Sequence, residues 1–304
     1  MSLTILGPER PEGMLPGVLQ KHGITGPLAL ISAGWRYDEA RDEPLRAALP
    51  NEIRNLRLYD RFRTVEHEAP ELIAKYTAKQ DAIRRVKQRY RMRIQSGLAS
   101  ATALFAEYHD ISCRWFLQAI RHLQETDELF LAEAKTLHDH FEAEVRPGEH
   151  PLVRREREAV RAELAGCEAL LVAGGHVGVL RNRCFFFDIG PVLNHRPLYA
   201  WSAGAMLMTE RVLLYHDRTA YGPGTAEFLD HGFGLLRNTV FLPHARERLD
   251  LDNPLNLTVL AHRLMPRRVI GLENGAVYDS GSYTGVPGAA FALHLDGSIH
   301  AAGA

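Results

Sequence analysis

The chain has 304 residues, 46% of them hydrophobic and 24% charged, which is length and apolar content enough to bury a sizeable core. Its 36 basic and 37 acidic residues leave a formal charge of −1, so no whole-molecule field points toward nucleic acid or an anionic membrane. Three widely spaced cysteines, Cys113, Cys167 and Cys184, exclude a disulfide framework and a zinc ribbon and fit a reducing compartment.

Residues 1–26 are rich in proline, glycine and charge; they read as an N-terminal arm, with neither a signal peptide nor an anchor. Because no apolar stretch of about twenty residues occurs, the expectation is a cytoplasmic protein with no membrane association. Residues 27–304 read as a single α/β domain interrupted by a helical insertion at about 70–165. Leu28-Ala29-Leu30-Ile31-Ser32-Ala33-Gly34 is a short apolar run closing on glycine, the mark of a buried parallel strand and its turn. A first helix is expected from about Glu39 to Leu49, and a second, weaker strand from Asn55 to Asp60.

In the insertion, Leu72, Tyr76, Ile83, Val86, Tyr90 and Ile94 recur at helical steps, as do the apolar residues from Phe116 to Phe141. Pro151 opens a further helix to Leu164, since proline in a first turn forfeits no hydrogen bond. Strand rhythm resumes in Ala169–Ala173, Leu198–Trp201, Thr239–Leu242 and Arg268–Gly271. Strands alternating with helices predict a mainly parallel sheet flanked by helices. Ala276–Tyr278 and Ala290–Leu295 are expected as its antiparallel edge.

In such sheets chemistry gathers at the carboxyl ends of strands, where Gly174, Ser202, His244 and Glu273 all fall. Ala200-Trp201-Ser202-Ala203-Gly204 approximates G-x-S-x-G, with Ala200 in place of the first glycine. At that sharp strand-to-helix turn a serine is exposed, and the N–H of Ala203 can face an oxyanion. The plain alternative is an ordinary junction with a helix-capping serine. A serine nucleophile needs a base, and His244, directly after Pro243, is the candidate. The base needs a carboxylate to hold its tautomer; Asp217 and Glu273 compete for that role. Ala173-Gly174-Gly175-His176 supplies a tight turn at the end of the strand expected beside the elbow.

Taken in order, Leu171-Val172-Ala173-Gly174-Gly175-His176, Trp201-Ser202-Ala203-Gly204-Ala205, Pro243-His244 and Ile270-Gly271-Leu272-Glu273-Asn274-Gly275 resemble the dipeptidase E and cyanophycinase family of serine peptidases. The likeness covers about residues 27–60 and 166–295. It implies a class I glutamine amidotransferase-like, flavodoxin-like sandwich. It also implies Ser202 as nucleophile, His244 as general base, and the backbone N–H groups of Gly175 and Ala203 as the oxyanion hole. Asp217, by its distance past the serine, is the first choice of acid and Glu273 the second. The chemistry implied is acyl transfer to serine and hydrolysis of a small peptide or isopeptide beside an acidic residue. No metal and no organic cofactor is implied, and the family suggests a homodimer. Arg246, Arg248 and His176 are candidates for holding an acidic substrate. The sequence departs from the family pattern at Ala173 and His176 around the glycines and in Ala245-Arg246-Glu247-Arg248. The helical insertion has no counterpart in compact members.

Other readings compete. A glutamine amidotransferase needs a cysteine at the elbow and a His-x-Glu pair, whereas this chain has Ser202 and, two residues after His244, Arg246. A catalytically inactive scaffold or binding protein is the alternative from another class. The basic run from Lys75 to Arg93 lies mostly on the polar side of an amphipathic helix followed by many acids, so nucleic acid is not the expected partner. His138 and His140 face different sides of a helix, and no HExxH spacing occurs.

Overall fold

The computed structural model describes residues 2–8, 13–217 and 225–303. The first part of the chain forms β1 (Leu3–Leu6), α1 (Leu15–Lys21), β2 (Leu28–Ile31), a 3-10 stretch at Ala33–Asp38, α2 (Glu43–Ala48), β3 (Ile53–Asn55) and α3 (Leu58–Glu68). The insertion is α4 (Pro70–Tyr108), α5 (Arg114–Val145) and α6 (Pro151–Ala165). Then come β4 (Ala169–Val172), α7 (Val177–Phe186), β5 (Leu198–Trp201), α8 (Ala203–Met208), β6 (Arg211–Leu214) and β7 (Glu227–His231). The chain continues through β8 (Thr239–Pro243), α9 (Ala245–Arg248), α10 (Pro254–Leu264) and β9 (Arg268–Leu272). It ends with β10 (Ala276–Asp279), β11 (Ser282–Gly285), β12 (Ala290–Leu293) and β13 (Ile299–Ala301).

The result is a mixed α/β fold with a central, mostly parallel sheet flanked by helices and a long helical insertion. That sheet has seven strands in the order β11-β10-β1-β5-β4-β2-β3. All its neighbours from β1 to β3 run parallel, while β10 is antiparallel to β1 and to β11. The strands β2, β4 and β5 are buried at every residue, as strands covered on both faces must be. Side chains alternate between faces. Leu28, Leu30, Leu171, Tyr199 and Trp201 pack with α1 and α2, whereas Ala29, Ile31, Leu170, Val172 and Ala200 face α3, the insertion, α7 and α8.

Several expectations are corrected. The described part of the expected N-terminal arm, residues 2–8 and 13–26, is built into the fold: Leu3–Leu6 pair with β5 on one side and β10 on the other, and Leu15, Val18 and Leu19 of α1 are buried. Four residues are too few to show a strand pattern among so many prolines and glycines. The expected helix over Glu39–Leu49 shortens to α2, and of the expected strand over Asn55–Asp60 only Asn55 lies in β3, while Leu58, Tyr59 and Asp60 open α3. The reason lies at a distance. The buried Glu39 carboxylate accepts the N–H groups of Tyr59 (3.0 Å) and Asp60 (2.9 Å), satisfying the first turn of α3. Finally, β8 and β9 are not in the main sheet. They pair with each other in parallel, and β9 with β12, in a second sheet of order β13-β12-β9-β8. β5 already has β4 and β1 as neighbours, so no edge remains for β8. Ala276–Asp279 and Ala290–Leu293 are antiparallel as expected, but they sit in different sheets.

The insertion is bound to the rest by buried charge. Arg263 of α10 donates through Nε (2.8 Å) and Nη2 (2.7 Å) to Asp127 of α5, and the Tyr90 hydroxyl of α4 donates to the same carboxylate at 2.8 Å. Of the basic residues on α4, Lys87 and Arg91 pair with Glu227 of β7, and Arg84 with Asp81. No helix among the described residues is long and apolar enough to cross a membrane.

Candidate active site

Ser202 follows β5 directly and precedes α8 with φ 52° and ψ −119°, a conformation that L-residues rarely adopt. The turn closes because position 204 is glycine; a Cβ there would overlap the carbonyl oxygen of Val172 on β4. A second sharp turn lies beside it at the end of β4. Gly175 has φ +100°, and a Cβ on it would come within 2.5 Å of the Gly34 carbonyl. A Cβ on Gly174 would meet the Ser202 Oγ at 3.1 Å and the Ala203 N at 3.5 Å, so the glycine turn lies directly against the serine. Neither the Gly175 nor the Ala203 N–H donates to any group of the described chain. The elbow therefore carries a half-buried hydroxyl between two backbone donors with spare capacity.

A cavity of about 320 Å³ opens over this elbow, lined among others by Gly175, His176, Ser202, Ala203, His216 and Arg248. His176 caps α7, its Nδ1 accepting the Val179 N–H at 3.2 Å. His216 lines the cavity as well, and nothing in its spacing distinguishes it in the sequence. It sits beside Arg248 and Asp217; burial, then the Arg248 charge, hold its pKa below the ordinary histidine value.

His244 directly follows β8, at the rim of the second sheet, not on the sheet that carries the elbow. It adopts φ 58° and ψ 37°, and its N–H donates to Leu272 of β9 at 2.9 Å. The link to the elbow is through the neighbouring residue: Pro243 lines the Ser202 cavity, and its carbonyl accepts the buried Tyr215 hydroxyl. His244 is not among the lining residues, and its ring and the Ser202 hydroxyl are not hydrogen-bonded to each other. Its Nδ1 stands 3.6 Å from the exposed Glu247 carboxylate.

The two carboxylates considered for the acid flank α9 at opposite ends. Glu273 accepts the Arg246 N–H at 2.8 Å, at the start of α9. Burial pushes its pKa above the usual carboxylate range, with the Arg246 N–H and charge pulling the other way. Asp217 accepts the Asp250 N–H at 3.2 Å, and its own N–H donates to the Arg248 carbonyl at 2.8 Å, just past the other end. Of the arginines proposed for substrate, Arg248 lines the cavity. Arg246 instead lies 5.0 Å from the Phe291 ring centroid, stacked on the second sheet. Among the described residues no His, Cys, Asp and Glu cluster is arranged to hold a metal ion.

No known protein family and no curated protein matches the sequence. Among solved structures, the chain is similar to a peptidase from an acI-B1 Actinobacterium, at 12% identity and a TM-score of 0.47, over 100% of this chain and 95% of that one. It is also similar to a protein from Listeria monocytogenes EGD-e provisionally named Peptidase E, at 8% identity and a TM-score of 0.43, over 93% of this chain and 96% of that one.

Proposed function

We propose that the chain is a serine peptidase or related amide hydrolase of the dipeptidase E and cyanophycinase type, on a class I glutamine amidotransferase-like framework. The observation that carries this reading is the Ser202 backbone, held at φ 52° and ψ −119° against a glycine turn with two unengaged N–H groups beside it. Such a conformation costs on the order of 1–3 kcal/mol and persists only where the surroundings enforce it. An ordinary helix cap needs none of this.

In this mechanism the Ser202 Oγ attacks the amide carbonyl carbon while its proton passes to the His244 imidazole. The Gly175 and Ala203 N–H groups hold the oxyanion. The C–N bond then breaks, the imidazolium protonates the leaving amine, and water hydrolyses the acyl-serine by the reverse sequence. Asp217 orients the imidazole, with Glu273 as the other candidate, and His176 and Arg248 hold an acidic side chain of a peptide or isopeptide. Closing the gap between His244 and Ser202 falls to substrate binding, since catalytic hydrogen bonds often tighten only in the complex.

The test is a panel of N-terminal Asp dipeptides and β-aspartyl isopeptides, run with a fluorophosphonate label. Ser202→Ala is expected to lower turnover by on the order of 10⁴-fold or more, with thermal stability unchanged. Unaltered turnover in that variant overturns the mechanism. A catalytically inactive scaffold is the second reading, favoured by the absence of His244 from the cavity lining. It wins if the folded chain neither takes the label at Ser202 nor turns over any member of the panel.

A further inference from the structure

A second cavity, of about 510 Å³, lies between the insertion and α7 and shares no lining residue with the cavity over Ser202. Its walls include Tyr76 and Lys79 of α4, His138 of α5, Arg157 of α6, and Arg181 and Phe185 of α7. The charges on these walls do not balance. Arg181 pairs with Asp230 at 2.8 Å, and the same carboxylate takes the His138 Nε2 at 2.7 Å, so that acid is already shared. At the mouth, Lys135 pairs with Asp139 (2.5 Å) and Arg161 with Asp188 (2.7 Å).

On these walls two cations have no carboxylate partner among the described residues. Arg157 donates twice to the Phe186 carbonyl, at 3.0 and 2.6 Å, and forms no ion pair among the described residues. The Lys79 ammonium makes no hydrogen bond or ion pair among the described residues; it lies 4.6 Å from the Tyr76 ring centroid and 4.1 Å from that of Phe141. Burial pulls its pKa down to about 8, the response of an ammonium short of partners. Against these stands one unpaired acid, Glu142 at the rim, whose pKa burial raises.

We infer that this cavity binds a small organic monocarboxylate with an aromatic or apolar body. The carboxylate sits between Lys79 and Arg157, and the body lies against Phe185 and Phe186. Two unpaired cations against one rim carboxylate leave room for a single negative charge, and Asp230 and Glu142 oppose a second. The volume suits a ligand of that class. The site is independent of Ser202 and of whatever reaction occurs there.

The experiment is ligand-observed NMR titration of the full chain with phenylacetate and 3-phenylpropionate, beside phenyl phosphate and phenethylamine. Saturable binding of the two acids is expected in the wild-type chain and, unchanged, in Ser202→Ala. Phenyl phosphate binds more weakly and phenethylamine not at all. Lys79→Met weakens the acids by at least about tenfold, while Lys79→Arg, which keeps the charge, stays within about threefold. Thermal melts check that both variants fold, and removal of a poorly paired charge is not expected to lower stability. The inference is overturned if neither acid saturates, if Lys79→Met binds as wild type does, if phenyl phosphate binds more tightly, or if Ser202→Ala abolishes binding.

Discussion

Glu39 is fully buried, and its carboxylate both opens α3 and sits where charge is unwelcome. Burial outweighs the two N–H bonds and pushes its pKa from 4.5 up to about 7. The folded chain therefore keeps a proton that the unfolded chain has released. The stability this contributes is complete below the unfolded value and is lost as pH rises through about 7. The loss is on the order of 3 kcal/mol. Denaturant melts at about pH 5 and about pH 8 are expected to show it in the wild type, and a flatter profile in Glu39→Gln. The same residue explains a misread stretch. Nothing between Asn55 and Asp60 announces a helix, because its first turn is satisfied by a side chain some twenty residues upstream. The sharp turn at Ser202 is legible for the opposite reason: everything it needs, from Ala200 to Gly204, is contiguous in sequence.

Among the elements, the insertion helices were the most legible, since a buried stripe repeats at helical steps whatever lies beyond it. What the stripe conceals is the polar contact that anchors them. Asp127 and Arg263 are 3% and 0% exposed at their side chains, and each is the other's charge partner. Removing one member leaves a buried charge uncompensated, which costs about 3–5 kcal/mol. Asp127→Ala is therefore expected to lower the thermal midpoint sharply, whereas the double change Asp127→Leu with Arg263→Met recovers much of the loss. Equal melts for the single and double variants would show the pair to be unimportant. His244 was legible as a strand-end residue, but not its sheet. Strands of four or five residues carry no label saying which neighbour they will take.

For the whole molecule, the parallel alternation of strands and helices could be read from the chain, while its division into two sheets could not. The deciding element was β1, whose seat between β5 and β10 shuts β8 out of the main sheet. A chain begun at residue 27 would expose both of those strand edges beside the elbow. It is expected to be insoluble or to lose the fluorophosphonate label, and a soluble, labelled product would contradict the role given to β1.

β1 also dictates a timetable. Leu3–Leu6 leaves the ribosome long before its partners Leu198–Trp201 and Ala276–Asp279 have been made. The central sheet therefore cannot zip in the order of synthesis, and the earliest strand waits for some of the latest. Contacts so distant in sequence slow the search for the native state, so this chain should depend on chaperones more than its ordinary size suggests.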